Sequence, residues 1–304
     1  MLYTVARLHY VADLSQVKIA RQLGLSTATI SRLLARARAE GIVRIEVRDP
    51  VEPDALGQML AERLGLVRVS VADIPAASLP AALATPLGQM LIDAAPGPGA
   101  VVALGWGRAI RAVIETGLPL LPGVSVVPTT GGLQQQAPHF QINEFVRLAA
   151  AAMGGVPHFL HAPYLPSAES RDSFLSDPVI ASAVALWDRI DVAVVGVGLP
   201  PRLNPPEASV ATESERRLTD AAGDVIRHYF SAEGRLIDWE GTARLIAASP
   251  EQLRRARLVI GVAAGPAKAE AVIGAARAGL INALVTDVTT AEAVLDAVDA
   301  AKGT

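Results

Sequence analysis

The chain contains no cysteine, which excludes disulfides, thiolate zinc sites and cysteine nucleophiles together. Its apolar runs, such as "LVIGVAAG", fall far short of the roughly 20 residues needed to cross a bilayer. The first residues lack a basic start followed by an apolar stretch, so no secretory leader is expected. The default is therefore a soluble, cytoplasmic protein with no membrane partner. No internal repeat is visible. Lysine is scarce as well: Lys18, Lys268 and Lys302 stand against 24 arginines. What the chain has in quantity is apolar residues, 51% of 304. At roughly 100–200 residues per domain, that length suggests two domains, one of them small.

The net charge of −3 is unevenly spread. Residues 1–48 carry Arg7, Lys18, Arg21, Arg32, Arg36, Arg38, Arg44 and Arg48 against only Asp13, Glu40 and Glu46. The rest of the chain is correspondingly acidic. A basic module on an acidic body points to a polyanion partner for the module alone.

"QVKIARQLGLSTATISRLLARARAEGIVRIEV" (Gln16–Val47) predicts what that module is. Ser15 caps a helix from about Gln16 to Leu23, and Gly24 closes it where the chain needs a positive φ. Ser26 caps a second helix that opens at Thr27 and runs to about Glu40, before Gly41. On it Ile30, Leu33, Leu34 and Ala37 form one apolar stripe at helical spacing. Ile19, Ala20, Leu23 and Leu25 supply the facing surface, and the corner glycine allows a close helix crossing. Ala28 and Arg32 then point away from the core, flanked by Thr29, Ser31 and Arg36. Short groups followed by arginines suit a major groove about 12 Å wide. Gln16, Lys18 and Arg21, with the amides behind Ser15, are placed for phosphates. "IVRIEV" alternates as a half-buried wing strand does. The expectation is a winged helix-turn-helix over residues 1–50 that binds double-stranded operator DNA. A plain helical hairpin with a solvated basic face would not require all these features at once.

Residues 51–66 predict a linker helix with Leu56, Met59, Leu60 and Leu64 on one face. From 67 to 304, short Val-rich runs alternate with helical segments. The expected strands are 101–104, 124–128, 158–162, 192–196, 258–262 and 283–286. Helices are expected over 108–117, 140–153, 176–188, 211–222, 250–256 and 268–279. That alternation indicates an α/β fold with a parallel sheet covered on both faces. Several strands run into glycine-bearing loops: "GWGR" at 105–108, "TTGG" at 129–132, "GVG" at 196–198 and "AAGPAK" at 263–268. In an open α/β sheet, ligands bind outside the carboxyl ends of the strands. Glycine lets backbone amides approach an anion, and Thr129 and Thr130 add hydroxyl donors. Glycine after a strand is also an ordinary turn residue. Lys268 sharpens the reading, because a cation at the start of a helix is disfavoured unless an anion offsets it.

These residues together resemble the SorC family of bacterial sugar-responsive transcriptional regulators. The resemblance is carried by the helix pair above and, in the body, by "GWGR", "VVPTTGG", "INEFVRLAAAAMGG", "HFLHAP", "DVAVVGVG", "GDVIRHYFSAEG" and "GVAAGPAKAEAVIGAARAGLINALVTD". It covers essentially the whole chain. It implies a Rossmann-like effector domain of the kind found in ribose-phosphate isomerase and glucosamine-phosphate deaminase. It also implies a homo-oligomer, a tetramer, and a phosphorylated sugar or polyol as effector. The residues it assigns to the effector are Gly105, Trp106, Gly107 and Arg108 lining a crevice, and Thr129, Thr130, Gly131, Gly132 and Lys268 on the phosphate. It further assigns Asn143 and Glu144 to the sugar hydroxyls, with Gly196, Gly198 and Gly265 in the neighbouring loops. Two stretches depart from the family's pattern. "GVGLPPRLNPPEAS" is rich in proline, and "GDVIRHYF" has Ile226 and His228 near where relatives often carry "CGRF".

Two other functions compete. An isomerase or deaminase carrying a DNA module would need a positioned acid/base pair, for which Asp191, Glu144 and His228 are the candidates. Each also has a structural reading, and fold alone confers no chemistry. A constitutive architectural DNA-binder would need no glycine-loop crevice. His158 and His161 are three apart in an expected strand and so face opposite ways, which is not a metal pair. No catalytic residue, metal or cofactor is assigned.

Overall fold

The computed structural model describes residues 1–43, 52–73, 79–133, 141–203 and 211–301. They form two compact units, Met1–Val51 and Glu52–Thr304.

Among the described residues, the first unit holds three helices, α1 (Leu2–Tyr10), α2 (Gln16–Leu23) and α3 (Thr27–Ala39). Both expected caps are in place: Ser15 Oγ accepts from the Lys18 amide, and Ser26 Oγ from the Thr29 amide. Gly24 sits at φ 65°, a left-handed conformation that a side chain disfavours. Val5, Ile19, Ala20, Ile30 and Leu34 make the core. The contribution of α1, which supplies Val5, was not anticipated. The wing, at residues 42–47, lies largely outside the described residues.

The second unit is built on a sheet of ten strands: β1 (Arg68–Ala72), β2 (Val101–Leu104), β3 (Ser125–Pro128), β4 (Val156–Pro157), β5 (Ile190–Gly198), β6 (Gly223–Val225), β7 (His228–Phe230), β8 (Leu236–Ile237), β9 (Leu258–Val262) and β10 (Ala283–Asp287). The order β1-β10-β9-β5-β2-β3-β4 is parallel throughout, and β6–β8 form an antiparallel extension from β5. Side chains alternate across a strand, and here both sets are apolar. Val101, Ala103, Val127, Ala193, Val195 and Leu284 face one core, whereas Val102, Leu104, Val126, Val192, Val194 and Val285 face the other. Helices cover both faces, as a buried parallel sheet requires. The helix read as a linker, α4 (Pro53–Leu64), belongs to the second unit, with Leu56 and Leu60 in its core.

Two expected elements differ. Residues 158–162 are not a strand: β4 stops at Pro157. Beyond it, the Leu160 backbone is held on both sides by the Asn143 amide, at 3.1 Å each, which draws it off the sheet ladder. The helix expected over 211–222 is one turn, Glu213–Arg216, closed by a Thr212/Glu215 capping box. Past it the chain turns into the β6–β7 hairpin, which carries His228 in a strand. The two central residues of that hairpin, Ile226 and Arg227, have φ of 45° and 69°. Such tight turns favour Asn-Gly or Asp-Gly, and no such pair marks this one in the sequence.

Candidate effector site and nucleic-acid interface

The strand order reverses between β5 and β2: β3 and β4 lie to one side, β9, β10 and β1 to the other. Chain segments leaving β2 and β5 therefore part at their carboxyl ends and open a crevice, the usual ligand position in such sheets. The glycines here permit close approach. The Gly105 amide donates to the Val194 carbonyl at 2.8 Å, and a Cβ on Gly105 would lie 3.3 Å from Val195 Cα. Gly107 has φ 132° and precedes the helix Arg108–Thr116. Trp106 is half-buried and Arg108 exposed.

The 129–132 loop is tightly tied down. Thr129 and Thr130 are fully buried, and their hydroxyls donate to the Leu104 and Ile246 carbonyls at 3.1 and 3.2 Å. The Gly131 and Gly132 amides donate to Ile246 and Ala162. A Cβ on Gly131 would come 2.6 Å from the Ala162 oxygen, so packing alone demands glycine there. Asn143 is committed to Leu160. Glu144 is exposed and pairs with Arg147 at 2.6 Å, which keeps its carboxyl below the usual range.

Lys268 ends a short turn, Pro266–Lys268, after β9 and precedes the helix Ala269–Arg277. Gly265, at φ 98°, opens that turn, and its amide donates to Asp287 at 3.0 Å. The Lys268 ammonium reaches across to the Val197 carbonyl. Burial pushes its pKa down to about 8, against a partial offset from Asp224, and Arg108 adds to the fall. Gly196 and Gly198 lie on β5 beside it, and any Cβ on Gly198 would overlap the Asp224 carboxylate. Burial raises the Asp224 pKa, opposed by Arg227.

Sequence reasoning missed the polar cluster next to this point. Arg227 is 5% exposed, with Nη1 3.2 Å from Glu215 and 3.0 Å from the Tyr229 hydroxyl, which itself donates to Glu215 at 2.8 Å. The Arg227 guanidinium carbon lies 5.1 Å from the Trp106 ring centre and 5.4 Å from that of Tyr164. The three groups considered for acid/base work are otherwise engaged. Asp191 accepts from the Val101 amide at 2.8 Å, Glu144 is in its surface pair, and the ring of His228 is bonded to the Ala248 carbonyl. Burial lowers the His228 pKa. Among the described residues no cluster of three His, Asp or Glu could hold a metal. No described helix is long and apolar enough to cross a membrane.

In the first unit, Ser26, Thr27, Ala28, Ser31, Arg32 and Arg36 are exposed on or beside α3, and Lys18 and Arg21 are exposed on α2. Gln16 and Thr29 are half-buried. Arg36 pairs with Glu40 at 2.6 Å, and Arg32 Nε donates to the Ala28 carbonyl at 3.4 Å.

Residues 48–296 match the Sugar-bind family of sugar-binding domains. The sorbitol operon regulator of Klebsiella pneumoniae is 31% identical, over 97% of this chain and 97% of its own. The chain belongs to the SorC family. The deoxyribonucleoside regulator of Bacillus subtilis (strain 168) is 30% identical over 96% of each chain. The crystal structure of full-length SorC from K. pneumoniae superposes with a TM-score of 0.74 at 32% identity, covering 97% of this chain and 98% of that one. This SorC-family member is a transcriptional regulator and not an enzyme. Its fold is mixed α/β with a mostly parallel central sheet.

Proposed function

We propose that this regulator controls a carbohydrate or polyol catabolic operon. It binds operator DNA through a winged helix-turn-helix at residues 1–50 and a sugar or polyol phosphate in the crevice between β2 and β5. Residues 67–304, with the helix before them, are the effector domain, of the isomerase/deaminase type without that chemistry. The observation that carries the reading is the position of Lys268. It sits at the carboxyl ends of the strands, beside Gly196–Gly198 and within the electrostatic reach of Arg108. Among the described residues its ammonium meets a carbonyl and no carboxylate within ion-pair distance, an arrangement that an incoming phosphate completes. The glycines at 105, 107, 131, 132 and 265 with Trp106 shape the walls, and Thr129, Thr130 and Asn143 hold those walls in place. Glu144 is positioned by the family resemblance alone.

Lys268→Ala is expected to weaken sugar-phosphate binding about 10- to 100-fold, the loss of one charge-assisted contact. Operator affinity without ligand should hold. Calorimetric titration with sugar phosphates, plus operator release assays, tests both; equal responses from wild type and variant remove Lys268 from the site. The wild-type affinity should also fall as pH rises through about 8, where Lys268 loses its proton. In the variant that dependence should flatten. The same side chain affects stability in the opposite sense. Folded Lys268 releases its proton near 8 and the unfolded chain's lysine near 10.5, so between these values the folded state binds fewer protons and gains stability as pH rises.

On the DNA side, Arg32→Ala should cost about 1–3 kcal/mol of specific binding and relax one base position. Lys18→Ala should weaken all sequences alike and flatten the salt dependence. Fluorescence anisotropy with operator and scrambled duplexes separates the two; matching losses on both duplexes for Arg32→Ala would make it another phosphate contact. Paired half-sites call for a symmetric assembly, at least a dimer and by family resemblance a tetramer. Light scattering that returned a monomer at micromolar concentration would refute this.

A further inference from the structure

The guanidinium of Arg227 is buried in a turn whose backbone favours glycine. Both Ile226 and Arg227 occupy the left-handed region, and strain of this kind persists where the surroundings or the function require it. Glu215, fully buried, balances its charge, and Glu215 with Tyr229 occupies Nη1. Nε is buried and has no hydrogen-bond partner among the described residues, an arrangement that native interiors rarely tolerate.

The surroundings of that nitrogen belong to the crevice. Trp106 comes from the loop after β2. Tyr164 is the second wall, and its amide donates to Gly132 at 3.0 Å, tying it to the 129–132 loop. The Arg227 amide donates to Asp224 at 3.0 Å, and Asp224 lies against Gly198 within the field of Lys268. One carboxylate thus links the Lys268 end of the crevice to the Arg227 end.

Resting on the reading of this crevice as the effector site, we propose that Arg227 is a specificity-determining residue whose Nε–H reads a neutral oxygen of the effector. That hydroxyl or carbonyl oxygen is at the end remote from the phosphate on Lys268, beside the guanidinium that lies over Trp106 and Tyr164. The oxygen is neutral because Glu215 already offsets the guanidinium and Asp224 stands beside it. A second anionic group would face two carboxylates at a buried site. The effector class is therefore a monophosphate with an uncharged far end, and bisphosphates and phosphorylated sugar acids are excluded.

The test is calorimetry on the full chain with inorganic phosphate, sorbitol 6-phosphate, ribose 5-phosphate, fructose 1,6-bisphosphate and 6-phosphogluconate. Wild type should bind a monophosphate of the set at least 10-fold more tightly than the bisphosphate or the sugar acid. Arg227→Lys keeps a cation for Glu215 and removes Nε–H. It should bind that monophosphate at least 10-fold more weakly and inorganic phosphate unchanged. The double variant Glu215→Gln with Arg227→Met removes both charges together; the glutamine oxygen still accepts from the Thr212 amide, and its NH2 can donate to the Tyr229 hydroxyl. It should behave the same way, which guards against a lone folding defect. Undiminished monophosphate binding by these variants overturns the proposal. So does a wild type that prefers the bisphosphate or the sugar acid, or that binds no monophosphate better than phosphate itself. Phosphate binding that is absent, or that ignores Lys268→Ala, instead brings down the crevice reading and the proposal with it.

Discussion

Glu215→Ala is expected to lower the stability of the second unit by about 3–5 kcal/mol, the cost of leaving a buried charge unpaired. Glu215 is the third residue of a one-turn helix, and each of its oxygens has separate work. One accepts from the Thr212 amide at 2.6 Å and the Thr212 hydroxyl at 2.8 Å. The other accepts from Tyr229 and pairs with Arg227. Alanine strips the Thr212 cap and strands a guanidinium that the chain has already removed from water. Because burial opposes the Arg227 charge while Tyr229, Glu215 and Asp224 sustain it, the cation has no easy route to neutrality. Glu215→Gln keeps the Thr212 cap through its one carbonyl oxygen but still leaves the cation unpaired, so it should lose less than alanine does. Urea titration monitored by tryptophan fluorescence reads the difference, since Trp106 and Trp239 lie against this cluster. An alanine variant with the wild-type midpoint would mean that the ion pair is not formed in solution.

Removing Met1–Val51 should abolish specific operator binding altogether, a loss of at least about 10³-fold. The expectation rests on charge as much as on α3. The first 48 residues hold a surplus of five positive charges, and the remainder of the chain is acidic. Without the basic module, the chain repels the phosphate backbone and retains not even non-specific affinity. The unfolding transition of the remainder should shift little, because Met1–Val51 has its own core of Val5, Ile19, Ala20, Ile30 and Leu34. Gel shift and calorimetry on the truncated chain test the two halves separately. Retained operator binding would place the DNA contacts elsewhere in the chain.

The legible parts of the fold were those in which a local pattern and the tertiary requirement agree. Ser15, Gly24 and Ser26 announce the first-unit helices because capping is decided within four residues. The Val-rich strands stand out because a doubly covered sheet leaves no polar face. The loops after β2, β3, β5 and β9 could be placed at one end because parallel strands put all their carboxyl ends there. What failed depended on distant partners. Nothing within 158–162 reveals that Asn143 will take hold of Leu160. Nothing in "VIRH" marks a tight turn, since its positive φ angles fall on Ile226 and Arg227 instead of glycine or asparagine. The site suffered the same way: Lys268 stood out by composition, whereas Arg227, Glu215 and Asp224 are ordinary residue types until the hairpin brings them together.

The apolar character of both sheet faces carries a further consequence. In a sheet with one wet face, slipping a strand by one residue turns its apolar side chains toward water, and that cost fixes the alignment. Here a slipped strand would exchange one oily face for another, so hydrophobicity alone says little about which residue stands beside which. The alignment must be set by shape at the strand ends. Gly105 fits only against Val195, Gly131 only beneath Ala162 and Pro163, and Gly198 only beside Asp224. These residues also line the proposed effector crevice. The same few positions thus act as registration pins for folding and, on the proposed reading, as walls of the effector site, and mutation cannot easily retune one role without disturbing the other.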